Sequence, residues 1–281
     1  IYTITGYLDI PKYWFGMAQA SIRGTSTDAL KQIANECGLS FVGVPTSNSQ
    51  LWMPNLNKYC DFAKYIADRG YASVSSCLVL GITLMKTMIY ADIMNLASPS
   101  IVLRSYGEGA ESDYLVSNYK INGYSGSSVT NGGYRSTRVA TTLLAPSADQ
   151  CHSVINETVV NQNVNSPQIN LIVRNLIGER QVVKFGNINC GNASEQHENA
   201  LYQNYRLKTL FTINAEFVLG QPCPVTLCTP FQFNAFDNEG QPSVKDSGIY
   251  VTCARIIYIE NANYFEKIIA SRIGTNAAYY T

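Results

Sequence analysis

The feature that most restricts the fold of this 281-residue chain is its last third, where apolar side chains recur at every second position. In "RLKTLFTINAEFV", residues 206–218, Leu207, Thr209, Phe211, Ile213, Ala215 and Phe217 fall on one face, and Lys208, Thr212, Asn214 and Glu216 largely on the other. Successive side chains of a strand point to opposite sides, so a period of two marks a strand with one buried face. "GQPCP" then reads as a turn, "VTLCTPFQF" as a further strand and "DNEGQPSVKDSG" as a polar loop. "IYVTCARIIYIE" is the next strand, "NAN" a tight turn, and "YFEKIIASR" the strand returning from it. A polar-started helix, "ASEQHENALYQNY" at 193–205, precedes them. These elements predict a helix plus an antiparallel meander able to close into a small barrel.

The first third is written in helical grammar. Thr25 followed by Asp28 is a capping box, Leu30, Ile33, Ala34 and Cys37 recur at i, i+3, i+4, i+7, and Gly38 supplies a left-handed stop. Leu30 and Ile33 are expected to be buried. A second unit repeats this: Asn57 as cap, then Tyr59, Phe62, Ala63 and Ile66 on one face, and Gly70 closing the helix. Ahead of both, "IYTITGYLDI" reads as a strand that "PKYWFG" ends, and the apolar run at 77–94 reads as a buried strand pair or a core helix. The fold class predicted is α+β. Residues 98–165, rich in Gly, Ser, Asn and Tyr, form a loop-rich β connection between an N-terminal segment, 1–97, and a C-terminal one, 166–281.

Bulk properties exclude several function classes. Net charge is zero, so there is no broad cationic face of the kind that drives nucleic-acid binding by counterion release. Only 14% of residues are charged, against roughly 25% in soluble domains, and Tyr, Asn, Ser and Thr take their place. The most apolar run has nine residues, 77–85, before Lys86, far short of the roughly 20 a spanning helix needs, so no membrane-spanning segment is expected. Eight scattered cysteines without a C-x-x-C read as reduced thiols, with disulfides left open by the even count. The chain begins at Ile1 in mid-strand pattern and without Met, and an upstream portion is expected.

Candidate chemistry is sparse. His152 and His197 lack metal-ligand spacing, and Cys190 with His197 spans a loop into a helix start, so neither a metal nor a cofactor is expected. "SNYK" at 117–120 matches the S-x-x-K of penicillin-binding enzymes, but it lies in an alternating Tyr-rich segment instead of at a helix start. Glu108, Glu111 and Asp113, and again Asp237, Glu239 and Asp246, could supply the paired carboxylates of a glycoside hydrolase, yet both clusters sit in Gly-rich polar loops. Asn156 and Asn192 match glycosylation acceptors without a secretory context. No catalytic residue is assigned. The 19 tyrosines suit intimate subunit interfaces, where they bury much area at little rotamer cost, better than they suit a sugar- or base-stacking surface.

Four stretches together resemble a known family, the baseplate hub proteins of contractile-tailed and related phages, with the late-control D proteins and the spike-carrying hub of type VI secretion. They are "LKQIANECGL" after an "IRG" lead-in, "WMPNLNKYCDFAKYIADRGY", "ENALYQNYRLKTLFTINAEFVLGQPCPVTLCTPFQF" and "DSGIYVTCARIIYIENANYFEKIIASR". In the last, Ser247, Gly248, Tyr250, Tyr264 and Arg272 occupy recurring positions. The resemblance covers residues 20–95 and 193–273 and leaves 98–165 unmatched.

The resemblance implies two antiparallel barrel-like tube domains, the first incomplete at the N-terminus, with short packing helices. It further implies a homotrimer whose pseudo-sixfold ring joins the tail tube protein to the central spike among other baseplate proteins. DNA would pass non-specifically through its lumen, and the particle would assemble in the host cytoplasm. Such a protein is a structural part of the virion and not an enzyme. Two alternatives remain at this level: a tail-tip glycan or cell-wall hydrolase built on Glu108, Glu111 and Asp113, and a capsid or portal-ring subunit.

Overall fold

The computed structural model describes residues 8–73, 76–105, 113–122, 213–237, 240–260 and 262–272, together with the backbone of three strands between 136 and 185. The chain divides into two compact units. One comprises Ile1–Asp92, Val139–His152 and Val183–Ala200, the other Ile93–Arg138, Ser153–Val182 and Leu201–Thr281.

The first unit runs α1 (Pro11–Phe15), β1 (Ile22–Gly24), α2 (Ser26–Glu36), β2 (Ser40–Gly43), β3 (Gln50–Trp52), α3 (Tyr59–Ala67), β4 (Leu78–Ile82) and β5 (Thr87–Asp92). β1 pairs with β3, and β5 lies between β2, parallel to it, and β4, antiparallel. The capping box is present: the Asp28 N–H donates to Thr25 Oγ1 and the Thr25 N–H to Asp28 Oδ2, both at 3.1 Å. Leu30, Ile33 and Ala34 of α2 and Phe62, Ala63 and Ile66 of α3 are all 0% exposed in one core, each large side chain contributing about 1.5–3 kcal/mol by burial. At the end of α2, Gly38 adopts φ 72, its N–H donates to the Asn35 carbonyl, and the Leu39 N–H donates to that of Ala34, a Schellman closure.

Three local readings are corrected and one alternative is decided. "PKYWF" does not merely end a strand; it forms α1, because Pro at the first helical position has its φ preset and no N–H to lose. Residues 1–7 of the expected strand lie outside the described residues. Asn57 does not cap α3. The helix begins after Lys58 without a side-chain cap, and the Asn57 N–H is engaged by the Pro54 carbonyl in a turn through Asn55 (φ 49) and Leu56 (φ 61). Gly70 is absent from the positive-φ residues; what it supplies is space, since a Cβ there would collide with the Tyr90 hydroxyl. The apolar run resolves into the strand pair β4–β5.

The second unit holds β6 (Val102–Arg104), β7 (Tyr114–Leu115) and β8 (Asn118–Asn122). In chain order β9 (Ser136–Thr141), β10 (His152–Val154) and β11 (Arg180–Phe185) follow and form a three-stranded sheet of their own. The unit continues with β12 (Ile213–Leu219), β13 (Pro230–Asn234), β14 (Gly248–Glu260) and β15 (Asn263–Arg272). Its sheet has the order β7-β6-β13-β14-β15-β12-β8. β12 alternates buried and half-buried positions along its whole length, as its sequence predicts, and Phe217 packs edge-on against Phe231, Phe233 and Tyr250 at centroid distances of 5.4, 4.6 and 5.1 Å. The strand expected from Val225 begins only at Pro230, after a turn in which Cys228 takes φ 57. The helix expected at 193–205 and the first part of the expected strand, residues 206–212, lie outside the described residues.

The α+β class holds; among the described residues no closed barrel is found. β6 runs parallel to both β13 and β7, so the sheet is mixed, because β6 enters by its own connection and not through a hairpin. Among the described residues no hydrogen-bonded pairing joins β7 to β8, and the first unit carries two small sheets. Yet β7 and β8, the sheet's two edges, are separated by two residues only: the Val116 N–H donates to Arg104 of β6 (2.8 Å) and the Ser117 N–H to Val218 of β12 (2.7 Å).

Candidate functional site

The residues weighed for catalysis are dispersed or occupied. Glu108, Glu111, Glu239, Cys190, His197, Asn156 and Asn192 lie outside the described residues, and His152 is described by backbone alone. Asp113 pairs with Arg104 at 3.8 Å. Asp237 accepts the Gln241 N–H at 2.8 Å, tying off its own turn. Asp246 gives its backbone carbonyl to the Tyr250 hydroxyl. Ser117 spends its hydroxyl on the Val218 carbonyl at 2.8 Å, and Lys120 stands on β8, so the S-x-x-K match falls in a strand junction. Among the described residues no group of three His, Cys, Asp or Glu could hold a metal ion. Six cysteines there are reduced thiols. Burial pushes Cys37, Cys223 and Cys228 up to about 11, which makes them poor nucleophiles near neutrality.

What the second unit does present is a layer with open edges. Following the pairings across β8, β12, β15 and β14 gives continuous rows: Lys120–Glu216–Ile269–Ala254, Tyr119–Phe217–Ile268–Arg255 and Asn118–Val218–Lys267–Ile256. Lys267 Nζ meets Glu216 Oε2 at 2.6 Å across them, and that hydrogen bond and charge hold Glu216 below its ordinary value. β14 is paired on its outer side only as far as Thr252, where Thr229 accepts its N–H. A register shift then falls between Thr252 and Ala254. Beyond it, among the described residues, 254–260 pair with β15 alone, and β8 pairs with β12 alone. The hairpin arm from Tyr258 to Phe265 therefore extends past the end of β12, and Ile256, Ile257 and Ile259 are exposed at 47%, 42% and 75%.

The root of this arm is fixed by Glu266, which is 0% exposed. Its carboxylate accepts the Cys223 N–H (3.1 Å), an Arg255 terminal N–H (3.0 Å) and the Tyr264 hydroxyl (3.0 Å), and its other oxygen lies 2.6 Å from Arg255 Nε. Burial works against the Arg255 charge, but the bond to Glu266 and its charge outweigh that and raise Arg255 above its ordinary value. Tyr264 is raised by burial first and by its bond to Glu266 second. Of the positions singled out in the closing hairpin, Tyr264 thus serves the arm. Ser247 accepts the Ala235 N–H, Gly248 turns at φ 155, and Tyr250 and Arg272 bind the loop before β14. The open edges and the extension of the hairpin arm past β12 had no local signal in the sequence, since an edge is defined by the absence of a neighbour.

The fold is similar to that of two solved tail proteins. A tail protein from Neisseria meningitidis MC58 matches it with a TM-score of 0.56 at 12% identity, over 91% of this chain and 69% of that one. The 43 kDa tail protein of prophage MuSo2 from Shewanella oneidensis matches with a TM-score of 0.51 at 8% identity, over 94% and 67%. No protein-family model matches the chain, and no curated protein sequence does. At these identities the likeness is one of fold.

Proposed function

We propose that the chain is a structural protein of a phage tail, not an enzyme, and that it acts as the hub of the baseplate, three copies forming a ring that joins tail tube to central spike around a DNA channel. The observation that carries this reading is the layer β8–β12–β15–β14, in which, among the described residues, β8 and the 254–260 stretch of β14 lack an outer partner, in a fold shared with solved tail proteins. Neighbours related by rotation about an axis along the strands would set β14 of one copy antiparallel to β8 of the next. Lys120 stands on one open edge and Glu260 on the other, so the two edges carry opposite charges. Covering both edges removes the association hazard of unpaired strands. The seam at Val116 and Ser117, where one run passes from β6 to β12, supports a split barrel, with the second unit as one tube domain and the first as the remainder of another. A chain of zero net charge would line a channel without trapping DNA. No helix among the described residues is long and apolar enough to cross a membrane, consistent with a place in the virion.

Native mass spectrometry and electron microscopy of the full chain test the reading. Trimers or rings are expected, weakened by Glu260→Lys and recovered when Lys120→Glu is added; a chain that stays monomeric at every concentration overturns it.

A further inference from the structure

The second unit carries a groove of about 850 Å³ walled by Leu96, Pro99, Pro230, Pro242, Val244 and Ile249, with Arg272 in its lining. Val244 and Ile249 are 61% and 52% exposed, whereas Arg272 is 3% exposed. The two terminal nitrogens of Arg272 donate to the carbonyls of Ser247 and Lys245, and its guanidinium lies 5.2 Å from the Tyr250 ring centroid. These contacts explain how Arg272 fastens the loop. They leave its charge unanswered. A guanidinium has five N–H donors, two are committed, and Nε has no partner.

The other two arginines with described ion pairs in this unit are matched, Arg104 by Asp113 and Arg255 by Glu266. Among the described residues no carboxylate stands within ion-pair distance of Arg272, Asp246 beside it included. Taking a cation out of water is costly unless an anion comes with it, and carbonyl dipoles with a ring face offset only part of that cost. Such a charge at the foot of apolar walls favours a ligand that is anionic at one point and apolar around it. A phosphate group has nothing to lay on proline, valine and isoleucine.

We propose that this groove binds a carboxylate-bearing apolar peptide segment of a partner protein, its acid drawn to Arg272 and its apolar side chains laid on Pro99, Pro242, Val244 and Ile249. The site belongs to one copy and stands whether or not copies form a ring. The test uses the full chain with methyl and amide NMR and two probes of one shape, N-acetyl-L-leucine and its amide N-acetyl-L-leucinamide. The acid is expected to shift Val244, Gly248 and Ile249 saturably, with the amide at least tenfold weaker. Val244→Asp, an exposed substitution whose folding the same spectra report, supplies a competing carboxylate at the mouth and is expected to abolish the acid's preference. Equal binding of acid and amide, no saturable shift with the acid, or an undiminished preference in Val244→Asp each overturns the proposal.

Discussion

The two units bury their cores by different kinds of instruction. In the first, α2 is specified within fourteen residues: Thr25 and Asp28 open it, Leu30, Ile33 and Ala34 line it, and Gly38 ends it. In the second, Phe217 is buried only when Phe231, Phe233 and Tyr250 arrive from two other strands, and Ser117 bonds to Val218, 101 residues away. Local signals set elements; distant pairings set register. The first unit should therefore tolerate damage to single caps, while the second should fail as a whole when one shared side chain is lost.

The largest test is Phe217→Ala, expected to cost about 3–5 kcal/mol through loss of contact and the cavity left behind. Denaturant unfolding followed at both units should show the second melting early while the first keeps its transition; a single common loss would break the comparison. Glu266→Gln removes the anion beside Arg255, which is itself partly exposed, and should cost about 2–3 kcal/mol, with amide exchange accelerating across 255–266 before it changes elsewhere. The two glycines that follow α2 and α3 separate next. Gly70→Ala must displace Tyr90 and should cost about 2 kcal/mol. Gly38→Ala meets nothing within 4 Å and should cost about 1 kcal/mol, from its backbone angle alone.

Thr25→Ala should cost about 1 kcal/mol and alter the acid limb of the stability curve. The side-chain and backbone bonds from Thr25 hold Asp28 below its ordinary 3.8. A depressed carboxyl stabilises fully above its unfolded value and loses that contribution as pH falls through the folded one. The variant's stability should therefore fall less steeply below about pH 4 than the parent's, measured by thermal melts across pH. The smallest effect is a gain: Leu56→Gly relieves a left-handed leucine that is 77% exposed and should add up to about 1 kcal/mol.

The same division explains what could be read in advance. Leu30 and Ile33, the Thr25–Asp28 box, the Gly38 stop and the inward set from Ile213 to Phe217 are consequences of spacing, and the structure places them so. Asn57 and Gly70 each fit two roles by residue type, and a remote partner chooses: Ala18 takes the Asn57 carbonyl, and Tyr90 needs the room at Gly70. The parallel setting of β6, the open layer and the groove around Arg272 depend on which strands do not meet. No window of sequence contains that information.

The two-residue seam at Val116 and Ser117 also bears on the order of events during synthesis. β6, β7 and β8 leave the ribosome long before β12, so Leu103 and Val116, both buried at the end, must wait uncovered while some ninety residues follow. Closing that excursion is not the main burden, since doubling a loop adds only about 0.6 kcal/mol. Time is the burden: the sheet can zip only after Arg272 has emerged, and pairings this remote in sequence form slowly. The interval in which half a sheet is exposed is thus fixed by the length of chain inserted between β8 and β12, and shortening that insertion should speed folding more than it raises stability.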